Sequence, residues 1–185
     1  MSDQLRFRST EATDRDAIAS VHRSAFSDNQ GNEIAQLVDD LFADTTAQPI
    51  VSLVAEMDQA VVGHVLLTTV SIELNATDVS AMILSPVAVD ASMQRRGIGS
   101  QLIRYGLGEL QSLRVELVFV LGYPEYYGRF GFRPAGELGF QAPHVIPPQY
   151  ADAWMVIELR QGAIAQNHGT IQCSRVLNQP QYWSA

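Results

Sequence analysis

Residues 85–103 read Ser-Pro-Val-Ala-Val-Asp-Ala-Ser-Met-Gln-Arg-Arg-Gly-Ile-Gly-Ser-Gln-Leu-Ile. An apolar, β-branched run ends at Val89, a short loop carries two arginines and two glycines, and apolar residues then recur at Ile98, Leu102, Ile103 and Leu107. That spacing predicts strand, loop, amphipathic helix. The physics of such a loop is that of an anion site. Small residues let the N–H groups of Arg95–Ser100 converge on one point, and a helix N-terminus adds its partial positive charge. Gly97 and Gly99 carry no side chain to block a phosphate. Two nucleotide motifs are excluded. A Walker A loop needs a lysine, and this chain contains none. A dinucleotide fingerprint needs a third glycine where Leu102 stands, and an acidic residue ending a parallel strand about 20 residues on, which is missing.

Working outward, Ala60–Leu74 and Ile50–Met57 precede this segment as two apolar strands joined by a tight turn at Asp58-Gln59. Gly63 inside the long strand predicts a bulge or a close backbone approach. Asn75–Asp78 is a second turn, Ala81–Val89 the third strand, and the three make an antiparallel meander. Towards the N-terminus come a short strand at Leu5–Ser9, a helix opening at Thr13–Asp16 with Ile18, Val21, His22 and Phe26 on one face, and a second helix facing inward with Ile34, Leu37, Val38, Leu41 and Phe42. Downstream, Gly97–Leu113 is helical and Val115–Leu121 a buried strand. A short helix over 124–130, a Pro-rich loop over 139–150 and a strand at Trp154–Leu159 follow. Strands and helices interleave, which is an α+β pattern. No repeat or linker divides the 185 residues, so 1–185 is expected to be a single domain, with a core of about 4–160 and an extension of the same domain at 161–185.

Twelve arginines against 20 acidic residues leave a net charge of −8. That disfavours a nucleic-acid partner, whose phosphates need a basic face, and mildly favours a cationic one. One cysteine, Cys173, excludes an intramolecular disulfide and a multi-cysteine zinc site, and the four histidines have no metal-ligand spacing, so no metal is expected. Met1–Arg8 lacks the apolar region of a signal peptide, and no apolar stretch is long enough to span a bilayer. A soluble, cytoplasmic protein without membrane or nucleic-acid partners is the expectation.

Gln94, Gly97 and Gly99 stand at the three defining positions of [Q/R]-x-x-G-x-[G/A], in the strand–loop–helix setting of the acetyl-CoA signature. Tyr126-Tyr-Gly-Arg-Phe-Gly-Phe-Arg-Pro134 resembles a second motif, Tyr-x-x-x-Gly-Phe. On these two stretches the chain resembles the GNAT superfamily of N-acetyltransferases, and in particular a bacterial subgroup of predicted acetyltransferases. The order of elements from residue 5 to about 160 agrees.

The resemblance implies a mixed, mostly antiparallel sheet flanked by helices and splayed at its central strands. It implies acetyl-CoA as cosubstrate, with the pantetheine arm along Val87, Ala88 and Val89 and the pyrophosphate on Gln94, Arg95, Arg96, Gly97, Ile98, Gly99 and Ser100. Whether the arginine side chains or only the backbone touch phosphate stays open. Tyr127, four residues before Gly131, falls at the general-acid position; the competing reading is a packing role in an aromatic cluster, with Tyr126 the alternative acid. The implied activity is acetyl transfer to a primary amine, small-molecule or peptide, by direct attack on the thioester; the alternative is a non-catalytic acyl-CoA-binding module. A homodimer is compatible, since acceptor sites in this fold often lie near subunit contacts. No carboxylate stands on the strand 81–85, leaving Glu33, Glu73 and His64 as candidate bases. For Glu33 the competing reading is an exposed helix face, and for His64 a satisfied core residue.

Overall fold

The computed structural model describes residues 4–26, 28–73 and 78–184. The meander forms as its patterning requires. Strands β1 (Leu5–Ser9), β2 (Ile50–Met57), β3 (Ala60–Ile72) and β4 (Ala81–Val89) pair antiparallel in that order. Asp58 and Gln59 turn between β2 and β3 with φ of 50° and 68°, the paired left-handed geometry whose twist suits a two-residue hairpin. The turn expected at Asn75–Asp78 falls largely outside the described residues. At Gly63 the expected irregularity is present: the β2–β3 register shifts between Ala55 and Glu56. A methyl built there would stand 3.2 Å from Ala55 Cβ and 3.4 Å from the Ala88 carbonyl.

Helix α1 (Arg15–Ala25) starts two residues later than the sequence suggests. Ahead of it, Ala12–Asp14 is a 3₁₀ turn. The Asp14 carboxylate accepts from the Glu11 amide at 2.7 Å and from both terminal nitrogens of Arg8 at 2.7 and 2.9 Å. Those bonds, the Arg8 pair foremost, hold the acid below its usual range. Helix α2 (Asp28–Ala43) follows, and α3 (Ile98–Ser112) succeeds β4. Strand β5 (Leu117–Leu121) is two residues shorter at its start than expected, because the Val115 amide still closes the end of α3 on the Leu110 carbonyl (3.0 Å). Then come α4 (Pro124–Tyr127), β6 (Arg133–Pro134), β7 (Phe140–Gln141), β8 (Trp154–Glu158), α5 (Ala163–Gln166) and β9 (Gly169–Gln172).

The sheet runs β1-β2-β3-β4-β5-β8-β6, antiparallel except between β4 and β5. Alternation along the strands divides the core in two. Val54, Leu66, Val70 and Ile83 meet Ile18, Leu37, Val38 and Leu41 of α1 and α2. Leu53, Val65, Leu67, Met82 and Leu84 meet Ile98, Leu102, Ile103 and Leu110 of α3 on the other face. Each such side chain, fully buried, is worth about 1.5–3 kcal/mol. The C-terminal stretch joins the first of these clusters. Gln172 and Ile171 of β9 pair with Ser71 and Ile72 of β3, and Trp183 packs against Trp154, ring centroids 5.5 Å apart.

Candidate active site

The parallel pairing of β4 with β5 covers only Ala81–Leu117, Met82–Val118 and Ile83–Phe119. Beyond Ile83 the two strands part, β4 staying on β3 as far as Val89 and β5 on β8 as far as Leu121. The cause is visible in the β3 ladder. Val65 faces Val87 but Leu67 faces Leu84, so β4 carries one extra residue at Ser85-Pro86 and bends there. The result is a gap whose β4 side, Ser85–Val89, presents backbone groups with no partner strand. Val87 and Val89 turn toward the α3 face, among the residues packed on that cluster.

At the end of β4 a polar clamp shapes the loop. The Asp90 carboxylate accepts from the Ser92 amide (3.0 Å), the Ser92 hydroxyl (2.6 Å) and the Ser24 hydroxyl of α1 (2.9 Å). Those hydrogen bonds, the Ser92 side chain first, lower its pKa. Ser24 Oγ in turn accepts from the Ala91 amide (2.9 Å). Gln94, though exposed, folds its side chain back on the chain: Nε2 donates to the Val89 carbonyl (3.1 Å) and the Ala25 carbonyl (3.3 Å). Its amide nitrogen therefore braces α1 and β4, a role the motif spacing does not disclose.

The next residues alternate into the left-handed region, Arg95 at φ 61° and Gly97 at φ 77°, which turns successive N–H groups to one side. No side chain caps α3, and its first helical bond runs from Gln101 N to Gly97 O (3.1 Å). The amides of Ile98, Gly99 and Ser100 thus face outward without intrahelical partners. Arg95, Arg96 and Gly97 are exposed; Ile98 is buried beneath them.

Across the loop lies the aromatic stretch. Tyr126 Oη would stand 3.1 Å from a methyl built on Gly99, so this hydroxyl overhangs the first turn of α3. The Arg129 guanidinium stacks on the Tyr126 ring (4.5 Å) and that of Arg104 on Phe130 (5.1 Å). Arg95 and Arg96 stand in the loop just before α3, in a chain of net charge −8.

Tyr127 is 7% exposed and packs edge-on to Tyr126 (5.1 Å) and Phe132 (5.7 Å). Its ring lies directly on Gly122, just past β5: a Cβ there would come 2.3 Å from Cε2 and 2.8 Å from Cδ2. Gly122 therefore seats the Tyr127 ring, a contact that only the folded chain reveals. Burial, then Tyr126, pushes the Tyr127 hydroxyl well above the usual phenol range, so it stays protonated at neutral pH. The contacts of Tyr127 are those of a packed aromatic residue.

The three candidate bases are dispersed. Glu33 is exposed on α2. Glu73 sits at the far end of β3, where its carboxylate accepts from Gln172 Nε2 (3.2 Å). His64 is buried on the α1 face, bonded to His22 and Ser52. Among the described residues no group of three His, Cys, Asp or Glu converges as a metal site, and no helix is long and apolar enough to cross a membrane.

Residues 6–135 match the family model of the acetyltransferase (GNAT) domain. The chain belongs to the GNAT family. It is 36% identical over 154 residues, 83% of each chain, to YjhQ of Escherichia coli K12, an uncharacterized N-acetyltransferase. Its structure is similar to that of the Escherichia coli GNAT N-acetyltransferase YhbS in complex with CoA, at a TM-score of 0.85 and 26% identity over 97% of this chain and 94% of that one. A Brucella melitensis GNAT acetyltransferase in complex with acetyl-CoA follows at a TM-score of 0.73 and 26% identity, over 95% and 99%. The protein is thus a GNAT N-acetyltransferase, and its mostly antiparallel, splayed sheet is the one the two sequence motifs led us to expect.

Proposed function

We propose that this GNAT enzyme transfers the acetyl group of acetyl-CoA to a primary amine by direct attack on the thioester. The observation that carries this reading is the gap between β4 and β5, with the unpaired amides of α3 at its mouth and Tyr127 beside it. The pantetheine amides pair with Val87, Ala88 and Val89 as a substitute strand, relieving backbone groups that are costly when left alone. The pyrophosphate rests on the amides of Arg95, Arg96, Gly97, Ile98, Gly99 and Ser100, with Gln94 holding the loop from behind. A backbone N–H at 85–87 faces the oxyanion; one such donor is worth ~2.7–4 kcal/mol in other enzymes.

Tyr127 serves the leaving group. A free thiol titrates near ~8.5, far below the buried phenol, so complete proton transfer from Tyr127 is uphill. A hydrogen bond from Oη to the developing thiolate is the favoured form of assistance. Holding amine and thioester in contact supplies the larger share of the rate. The acceptor is a cationic small-molecule or peptide amine, which the acidic balance of the chain favours. We take residues 1–185 as one catalytic domain, active in the cytoplasm where acetyl-CoA is made, with a homodimer compatible with this reading.

Release of free CoA thiol from acetyl-CoA, measured across a panel of polyamines, aminoglycoside-like amines and peptides, tests the reading together with Tyr127→Phe. Acceptor-dependent release that falls about 10²-fold in the variant, with CoA affinity kept, is the expected result. Tight CoA binding without thiol release for any amine would sink the transferase reading of this site in favour of a binding module.

A further inference from the structure

The last turn of α1 belongs to neither sequence motif, yet Ser24, half-buried there, holds the loop after β4 through two hydrogen bonds. Its hydroxyl donates to Asp90 Oδ2 at 2.9 Å, and its oxygen accepts from the Ala91 amide at 2.9 Å. Asp90 Oδ1 is engaged locally, accepting from the Ser92 amide and the Ser92 hydroxyl. The short 3₁₀ turn Ala91–Met93 is thus capped by two side chains, its own Asp90 and a serine 66 residues upstream of that aspartate. Asp90 stays ionised at neutral pH, so the bond from Ser24 is charge-assisted and strong for its size.

Two further points anchor the loop. Gln94 Nε2 reaches the Ala25 carbonyl at 3.3 Å, one of the carbonyls that a helix leaves free at its C-terminus. Ile98, buried, fixes the far side. Between Gln94 and Ile98 only Arg95, Arg96 and Gly97 bridge, all exposed, with Arg95 at φ 61° and Gly97 at φ 77°. Where the amides of so short a span point is set by where its ends are held. The end of α1 is itself fixed by α2. A methyl built on Gly31 would meet the Arg23 carbonyl at 2.6 Å and the Phe26 carbonyl at 3.0 Å. Contacts therefore run without a break from α2 through the last turn of α1 to the turn that opens α3.

We infer that Ser24 is a positioning residue of the cofactor loop, which presets the amides of Arg95–Ser100 for the diphosphate of CoA by acting through Asp90 and Ala91. The inference rests on the reading of that loop given above. Without the Ser24 hydroxyl, the Asp90 carboxylate and the Ala91 amide turn to water, which a loop this exposed permits at little cost to folding. The cost falls on binding instead. A loop that is no longer held in place must be ordered by the ligand, and the affinity drops by the fraction of molecules that are not ready for it.

Titration calorimetry with CoA, joined to turnover of S-acetylpantetheine as a donor that lacks the diphosphate, tests the role. Ser24→Ala should bind CoA about tenfold more weakly than wild type, with Tm lowered by no more than about 2 °C. KM for acetyl-CoA should rise by the same factor while kcat at saturation holds. Ser24→Thr keeps the hydroxyl and should bind CoA as wild type does. With S-acetylpantetheine, kcat/KM should be equal in wild type and Ser24→Ala. Unchanged CoA affinity in Ser24→Ala overturns the inference, as does an equal loss in Ser24→Thr. An equal loss with both donors overturns it too, because the damage then lies outside the diphosphate loop. All three results leave the transferase reading intact. If wild type binds CoA no more tightly than pantetheine, the diphosphate assignment of Arg95–Ser100 falls, and the role of Ser24 with it.

Discussion

Gly122→Ala is the sharpest probe of how the tyrosine is held. The new methyl would lie 2.3 Å from Tyr127 Cε2 and 2.8 Å from Cδ2, against an ordinary carbon–carbon contact of about 3.5–4.0 Å. The ring must therefore retreat by roughly 1 Å or more. Tyr126 and Phe132 lie edge-on to it, at 5.1 and 5.7 Å, and leave little room. Gly122 is not among the glycines with positive φ, so the backbone itself accepts alanine and the penalty is steric. Overpacking of this kind costs about 1–3 kcal/mol, or about 2–4 °C in Tm for each kcal/mol in a domain of this size. The catalytic effect should be larger. A displacement of about 1 Å can cost ~10²-fold in rate, while the amides of the α3 N-terminus, on a different element, stay where they are. Stopped thiol-release assays should thus show kcat falling by about 10- to 100-fold, and titration calorimetry should give CoA affinity within about twofold of wild type. A variant with unchanged kcat and unchanged Tm would refute the reasoning, since the ring would then be free to move and its place on Gly122 irrelevant to turnover.

Three further outcomes follow from the same geometry. Gly97→Val places a β-branched side chain at φ 77° on the exposed lip of the loop, so CoA affinity should fall at least about tenfold, and retained affinity in calorimetry would contradict the phosphate-loop assignment. Trp183→Ala removes a side chain 2% exposed, packed on Trp154 and donating from Nε1 to the Leu177 carbonyl at 2.8 Å; a loss of about 3–5 kcal/mol in urea unfolding is expected, and a loss below about 1 kcal/mol would show that the C-terminal stretch is not part of the cooperative unit. The third concerns acid. Burial lowers His22 from 6.5 to about 4, so between those values the unfolded chain binds a proton that the folded one refuses. Stability is full above about pH 6.5 and should fall by roughly 2 kcal/mol by pH 5 from this residue alone. Equal urea midpoints at pH 7 and pH 5 would contradict it.

What one chain of residues can disclose depends on how local the responsible physics is. Strands β2 and β4 have the boundaries their apolar runs imply, because alternation and turn residues act over a few positions. The turn at Gln94–Ser100 and the helix after it were likewise legible, since the strand–loop–helix pattern is written in its glycines and in the apolar spacing that follows. The family resemblance rested on this segment and on Tyr126–Pro134, both short and contiguous.

The remainder was decided only by chain segments meeting in space. Nothing near Gln94 announces that its side chain reaches back to Ala25, 69 residues earlier. The pairing of His22 with His64 spans 42 residues and depends on which face of β3 meets α1. The gap between β4 and β5 arises from a bulge in one strand and the parallel docking of another, and periodicity reports neither. Gly122 and Tyr127 are close in sequence, yet their contact follows from α4 folding its ring back over the end of β5. The chain by itself determined the longer strands and helices and the turn from β4 into α3, through backbone preferences and hydrophobic period. The tertiary structure alone decided where the strands part and which side chains crowd the opening, because those depend on packing between elements that the sequence holds far apart.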